Sequence, residues 1–418
     1  MNLKQYQQFQ DALIYLESLG NLTDVNFFAG TSDPNFHFAR AKHLLKLGGN
    51  PDKALKIIHV TGTSGKGTTT NLIYNILQAN GYKVGAHFSP YVSVPTEKIQ
   101  INNKFISVPE FIKLVEEVKP IIQKCYESYG PPSYFEIWIL MTLLYFKKKK
   151  CDYVVLEVGC GGRFDATNAV NKTLVSVITN IGLDHTHILG NTYKQIAFEK
   201  AGIIRPKGIV FTTTDNAAAL KVIEDVAQEQ NADLTILQKQ DDPNEALAIA
   251  VAAHLKIKET KIIKGLKAAR LPGRFETMQT KPLIILDGAH NPDKISFLTK
   301  KIKTLKYNEL HLICGLTNFK KPKEVFAELL PLTHSLYITR FTASHRKVTP
   351  PLEIKKSFNS RKPTQIFLDP QEALATALKK AKKDDLILIT GSFFLCGELR
   401  KNWIKEIDQL DLRKSFLK

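Results

Sequence analysis

The run Ile57-Ile58-His59-Val60-Thr61-Gly62-Thr63-Ser64-Gly65-Lys66-Gly67-Thr68-Thr69-Thr70 constrains the fold more than any other stretch of the chain. A β-branched strand ends in a loop of three glycines, a lysine and several hydroxyls. Leu72, Ile73, Ile76 and Leu77 follow at helical spacing, and Gly81 stands past the helix end. A strand, a glycine loop and a helix in that order hold phosphate, because the glycines let backbone N–H groups turn inward and the helix start adds positive potential. Lys66 supplies a neutralising charge, and a hydroxyl at Thr68 or Thr69 falls where Mg²⁺ takes an oxygen ligand. The spacing departs from the general phosphate-loop rule, since only Thr63 and Ser64 separate Gly62 from Gly65. An ordinary glycine-rich turn has no need of a lysine among glycines and threonines. Nucleotide binding is the stronger reading.

The rest of the chain is patterned as two α/β layers. Residues 1–55 read as helices with a loop around Ala29 to Asn35, and Phe36, Ala39, Leu44, Leu45 and Leu47 form an apolar stripe that Gly48-Gly49-Asn50-Pro51 stops. Strands are predicted over 82–86, 99–101, 152–157, 174–179 and 208–213, and helices over 108–126 and 135–146. Asp152-Tyr-Val-Val-Leu-Glu157 is nearly continuous in apolar residues, as in a parallel sheet buried on both faces. Leu271-Pro-Gly-Arg-Phe-Glu276 breaks the alternation, which then restarts with strands over 283–287, 310–314, 336–339, 365–368 and 386–390. The fold class is α/β: a doubly wound, mainly parallel sheet over 1–273, with the helical segment in front, then a smaller Rossmann-like domain over 274–418.

Composition excludes several classes. With Lys+Arg 58 against Asp+Glu 40 the net charge is +18, which suits nucleic acid or small polyanions equally. No basic helix interleaved with aromatics appears, and the densest basic run, Lys147 to Lys150, follows an apolar helix end where cations are favourable. Five cysteines without a C-x-x-C pair argue against a zinc site or a disulfide framework and fit a reducing cytosol. The polar N-terminus is no signal peptide, and the longest apolar run, Ile137 to Phe146, is too short to span a bilayer. A cytoplasmic monomer with small-molecule substrates, and neither nucleic acid nor membrane as partner, is expected.

Three further sites carry chemistry. Glu157 closes a buried strand beside Gly159-Cys160-Gly161-Gly162-Arg163-Phe164-Asp165, well placed as a Mg²⁺ ligand opposite a phosphate cradle, or else a solvated strand-end carboxylate. His185 follows the next strand, on the rim where such sheets bind ligands; a lone histidine there is more often structural. Lys200 lies in an apolar segment and must be paired, shifted in pKa or modified, with Glu199 or a phosphate as the plain partner.

Together these motifs make the chain resemble the folylpolyglutamate synthases, often bifunctional as dihydrofolate synthases, of the Mur ligase superfamily. The resemblance rests on Val60 to Thr68, Ser89-Pro90 with Thr96-Glu97-Lys98, Ser133-Tyr-Phe-Glu136 and Glu157 to Asn168. It continues through Asp184-His-Thr, Glu199-Lys-Ala-Gly-Ile, Leu271 to Phe275, Asp287-Gly-Ala-His-Asn-Pro292 and Gly391-Ser-Phe393. It implies an ATP-binding site of Gly62, Thr63, Ser64, Gly65, Lys66, Gly67, Thr68, Asn244, Arg274 and Asp287. It implies two Mg²⁺ sites with Ser89, Glu157, His185 and Lys200 as ligands, Lys200 being carboxylated by CO₂. Phe135, Asp165 and Ala166 would meet the pterin, and His290 and Ser392 the incoming glutamate. Lys66, Lys200, His185 and His290 would be the catalytic set. The reaction implied is ATP-dependent joining of L-glutamate to a folate, and to dihydropteroate as a further acceptor, through an acyl phosphate. Tyr91, Ser64 and Cys160 depart from the residues usual in the family, and the chain between Leu237 and Asn244 is shorter than in familiar members. The alternative is a Mur-type ligase acting on a UDP-linked peptidoglycan precursor, against which the short segment before the glycine loop counts.

Overall fold

A computed structural model of the chain describes residues 1–20, 33–237, 240–318, 320–342 and 347–417. The expected loop at 29–35 lies largely outside the described residues. Two compact units appear, one of Met1–Pro90, Thr96–Arg270 and Leu410–Lys414, the other of Tyr91–Pro95, Leu271–Gln409 and Ser415–Lys418.

In the first unit, helices α1 (Leu3–Gly20) and α2 (Pro34–Leu47) precede the sheet. Asp33 starts α2 by accepting the Asn35 amide. The stripe expected on α2 is corrected at one end. Phe36 is exposed, whereas Arg40 is buried because Glu136 takes its Nε and Nη2 at 2.9 and 3.0 Å. The sheet has the order β4-β3-β2-β5-β1-β6-β7-β8. Its strands are β1 (Ile57–Thr61), β2 (Val84–His87), β3 (Ile99–Ile101), β4 (Lys104–Phe105), β5 (Tyr153–Glu157), β6 (Val175–Ile178), β7 (Ile209–Thr212) and β8 (Asp233–Ile236). From β2 to β8 the neighbours run parallel, while β3 and β4 fold back antiparallel. Strands β1, β2, β5 and β6 are buried along their whole length apart from the first residue of β5, as their unbroken apolar runs require. Neither β4 nor β8 has a legible pattern, since both are short and half exposed.

Helix α3 (Lys66–Ala79) carries the glycine loop's charge, and it is buried on more than the one face its stripe suggests. Its far side is covered by α9 (Pro243–His254) and α10 (Glu259–Ala268). Gly265 of α10 comes so close that a Cβ there would fall 2.4 Å from the Cα of Ile76. Between β4 and β5 run α4 (Val108–Tyr129) and α5 (Tyr134–Lys148). In each a serine–glutamate capping box, Ser107 with Glu110 and Ser133 with Glu136, sets the first turn. Helices α6 (Thr186–Leu189), α7 (Tyr193–Ala201) and α8 (Ala217–Glu229) complete this unit up to α9.

The second unit has a sheet of order β13-β12-β11-β14-β10-β9. Its strands β10 (Leu283–Asp287), β11 (Leu310–Cys314), β12 (Ser335–Ile338), β13 (Thr364–Ile366) and β14 (Leu386–Thr390) run parallel. The expected linker ends earlier than its sequence suggests, because Glu276–Thr280 forms β9, antiparallel to β10. Helices α11 (Pro292–Ile302), α12 (Pro322–Val325), α13 (Pro351–Phe358), α14 (Pro370–Lys380) and α15 (Phe393–Arg400) connect the strands. Helix α16 (Glu406–Leu412) ends in the segment that belongs to the first unit.

Candidate active site

Strand β1 lies between β5 and β6, so the chain leaving all three emerges on one rim of the sheet. The glycine loop is fixed there by residues far along the chain. The Thr63 and Ser64 amides donate to Asn180, at its carbonyl (2.8 Å) and side-chain oxygen (2.7 Å), and Thr179 Oγ1 donates to the Ser64 carbonyl at 2.6 Å. Gly62 has φ +146°, and a Cβ on it would stand 1.7 Å from Thr179 Oγ1. Gly65 has φ +85°, and its Cβ would stand 2.0 Å from Asn244 Oδ1. Both positions therefore require glycine. Asn244 touches the loop itself, accepting from Thr69 Oγ1 at 3.2 Å. Thr69 is fully buried, whereas Thr68, one residue earlier on α3, is half-buried and is the more accessible of the two hydroxyls.

Two lysines meet at this loop. Lys66 Nζ and Lys200 Nζ each donate to the carbonyl of Gly62 at 2.9 Å. The partner of Lys200 is thus a backbone oxygen rather than the neighbouring Glu199. Burial pushes the Lys200 amine down to about 7, and the charge of Lys66 pushes the same way against Cys160, Asp184 and Asp165. Burial also holds the Cys160 thiol up at about 11, so it is inert at neutral pH.

Glu157 ends β5, and its Oε2 accepts the Ser89 amide at 2.9 Å, which brings these two expected ligands together. His185 leads into α6 with φ +51°, its amide donating to Asp184 Oδ1 at 2.9 Å. A carboxylate and a hydroxyl are hard oxygen donors, so this part of the donor set fits Mg²⁺.

Phe135, Asp165 and Ala166 are also brought together. A Cβ on Gly159 would lie 2.6 Å from the ring of Phe135 and 3.1 Å from Asp165 Oδ2, so loop and ring are in close contact. Asp165 Oδ2 accepts the Cys160 amide, and Oδ1 accepts both the amide and the hydroxyl of Thr167, at 2.9 and 2.6 Å. The single hydroxyl proton of Thr167 is thereby committed, so His59 Nε2–H donates to Thr167 Oγ1 at 2.8 Å. Ala166 opens the short turn that Asp165 caps, and burial raises the Asp165 carboxyl.

In the second unit, Arg274, Asp287, His290 and Ser392 gather around Phe393. The Arg274 guanidinium lies 3.7 Å from the centre of that ring, and the His290 ring stands edge-on to it at 5.7 Å. Asp287 ends β10 and accepts the Phe275 and Ala289 amides, both at 2.8 Å; burial raises its carboxyl, and Arg274 opposes this. The Gly288 carbonyl can only accept, so His290 Nδ1 carries the proton of their 2.7 Å bond and Nε2 accepts from Lys294 Nζ at 3.1 Å. Ser392 caps α15, its Oγ accepting the Phe394 amide. Asn180, Thr167 and Lys294 are participants that sequence reasoning missed. A strand order with β6 beside β1, and the four-residue step from His290, just before α11, to Lys294 in its first turn, are the signals that could have found two of them.

Residues 131–278 match the Mur ligase middle domain and residues 273–393 the Mur ligase glutamate ligase domain. A dihydrofolate synthase/folylpolyglutamate synthase of Bacillus subtilis is 30% identical over 406 residues, covering 87% of this chain and 94% of its own length. The solved structure of E. coli FolC in complex with DHPP and ADP superposes with a TM-score of 0.82 at 28% identity, covering 94% of this chain and 97% of that one. A bifunctional folylpolyglutamate synthase/dihydrofolate synthase with Mn, AMPPNP and L-glutamate bound gives the same TM-score, identity and coverage. A phosphate loop, a rim of carboxylate and lysine, and near full-length likeness agree: this chain belongs to the dihydrofolate synthase/folylpolyglutamate synthase family of Mur-type ligases.

Proposed function

We propose that the chain is an ATP-dependent ligase that joins L-glutamate to the carboxylate of a reduced folate through an acyl phosphate, with dihydropteroate as a second acceptor. The observation that carries this reading is the pair of lysines on the Gly62 carbonyl. Lys66 brings a positive charge to the mouth of a phosphate loop that one neutral carbonyl does not balance and a terminal phosphate would, while Lys200, beside it on the same oxygen, is the amine open to modification. The loop from Gly62 to Thr68 surrounds the phosphates, with the amides at the start of α3 as donors and those of Thr63 and Ser64 held by Asn180, and Asn244, Arg274 and Asp287 are the further nucleotide residues.

Ser89, Glu157 and His185 would hold Mg²⁺, which supplies charge neutralisation and a fixed geometry for the phosphates when bound. Lys200 would serve as a carbamate, giving anionic oxygens for a second ion. An amine lowered to about 7 is largely uncharged just above neutrality, and only the uncharged amine adds CO₂. Phe135, Asp165 and Ala166 would receive the pterin. Asp165 is turned inward to hold its own loop, so its part would be to shape the pocket as much as to contact the ligand. His290, neutral with its proton on Nδ1, and Ser392 would meet the glutamate. The enzyme would act as a monomer in the cytoplasm, where its free cysteines stay reduced. The rival UDP-peptidoglycan reading has less support, because relatives aligned over most of the chain bear folate names.

ADP release, measured with L-glutamate and each of tetrahydrofolate, dihydropteroate and a UDP-linked muramoyl peptide, tests the reading. Glutamate-dependent release with either pterin is expected. Release with the UDP substrate alone would overturn it. Lys66→Ala should keep the fold and lose at least 100-fold in rate, a typical cost for deleting one strong electrostatic contact to the reacting group. Lys200→Ala should be nearly inactive and partly restored by acetate.

A further inference from the structure

The chain does not cross between its two units only at the Arg270–Leu271 junction. It also enters the second unit at Tyr91 and leaves after Pro95, and it leaves again after Gln409 to return at Ser415. One side chain of the second unit is bonded beside every one of these crossings. Arg400, at the end of α15, is wholly buried. Its Nε and Nη2 bind both carboxylate oxygens of Glu276 at 2.9 to 3.0 Å. Its Nη1 donates at 3.1 Å to Ser93 Oγ and at 3.1 Å to Gln409 Oε1, and Nη2 donates at 2.6 Å to the Ser415 carbonyl. Glu276 in turn accepts the Gly273 amide at 2.8 Å, just past the central junction. Ser93 is the middle residue of the first inserted segment, and Gln409 and Ser415 bracket the last.

The inserted segment is held tightly for five residues. Val92, Ser93 and Val94 are buried, and α15 has a glycine, Gly397, where it faces them. A Cβ on Gly397 would fall 1.7 Å from the Val92 carbonyl oxygen. A fully buried guanidinium with its fork matched to one carboxylate is rigid, and its remaining donors fix whatever they reach. Ser89 stands two residues before this segment, with its amide on Glu157.

We propose that Arg400 is a positioning residue: through Ser93 it fixes the segment 91–95 and so the place of Ser89 beside Glu157. The proposal rests on the reading of Ser89 as a metal ligand. Arg400 touches no reacting atom and is not catalytic. Loosening Ser93 should therefore act on metal use at the first unit rather than on the fold of the second.

The test compares full-length Ser93→Ala, Gly397→Ala and Arg400→Lys with wild type. The first removes one acceptor, the second pushes on Val92, and the third keeps the charge but not the fork. The readouts are the Mg²⁺ titration of glutamate-dependent ADP release, the thermal midpoint, and hydrogen exchange of the peptide covering 86–98. Thr342→Ala, which loses only the exposed hydroxyl bond to Glu398, is the control for general weakening of the second unit. The expected result is faster exchange across 86–98 and a Mg²⁺ requirement raised three- to tenfold in Ser93→Ala and Arg400→Lys, with Ser93→Ala keeping a wild-type thermal midpoint and Thr342→Ala changing neither. A lowered midpoint with an unmoved Mg²⁺ titration would make the network merely structural and overturn the proposal. Ser89→Ala separates the two readings. If it leaves the titration unmoved, Ser89 is no ligand and that reading fails, while the exchange of 86–98 still decides whether Arg400 fixes the segment.

Discussion

At the scale of single residues the site is organised by unequal neighbours. Lys200 is lowered to about 7 first by burial and then by Lys66, so its amine should respond when Lys66 loses its charge. Removing a nearby cation favours the protonated form, so Lys66→Met should raise the Lys200 pKa. Labelling Lys200 with an acylating reagent across pH, read by mass spectrometry in the metal-free protein, should give an upward-shifted midpoint. An unmoved midpoint would mean that burial alone sets it. The glycines make the companion case. Gly65→Ala forces a Cβ onto Asn244 Oδ1 in a backbone conformation that disfavours side chains, so nucleotide binding by calorimetry should be lost while the thermal midpoint falls only modestly. Much of this was legible in the sequence, because Gly62, Gly65 and Lys66 lie within one five-residue loop. Asn180 was not, because it meets Ser64 from 116 positions away, and only the sheet order makes them neighbours. Arg400 was hidden for the same reason, with Glu276 lying 124 positions away.

At the scale of elements, long apolar strands declared themselves and short or edge strands did not. Strands β10, β11 and β14 run where their β-branched and leucine-rich stretches predict, whereas β4, β8 and β9 have mixed burial and no clear period. The central strands carry a liability as well. His59 on β1 and His87 on β2 are fully buried, and burial lowers each to about 3 from an ordinary value near 6.5. Between those values the unfolded chain binds more protons than the folded one, so stability falls as pH drops below 6.5 and the loss continues toward 3. The limiting slope is about 1.4 kcal/mol per pH unit for each histidine. The urea midpoint should accordingly fall between pH 7 and pH 5, and His59→Gln should make that fall shallower. An equal fall in both proteins would show that other groups govern acid sensitivity.

At the scale of the whole molecule, a net charge of +18 is a field that anionic substrates feel before they bind. The kcat/KM for ATP should fall as NaCl rises from 20 to 300 mM, while kcat changes little; a salt-independent kcat/KM would show that charge does not govern capture. Retention on DNA should be weak, since no stretch of the sequence reads as a basic helix with interleaved aromatics. The same scale decides how the chain can be divided. Because residues 91–95 count among the second unit's own contacts, the gene for that unit is not the stretch that begins at Leu271. A fragment cut there would carry Arg400 and Gly397 facing a missing strip of backbone. The two halves of this ligase are therefore not interchangeable modules, and any recombination that swaps the C-terminal half must bring with it a five-residue graft from the middle of the other.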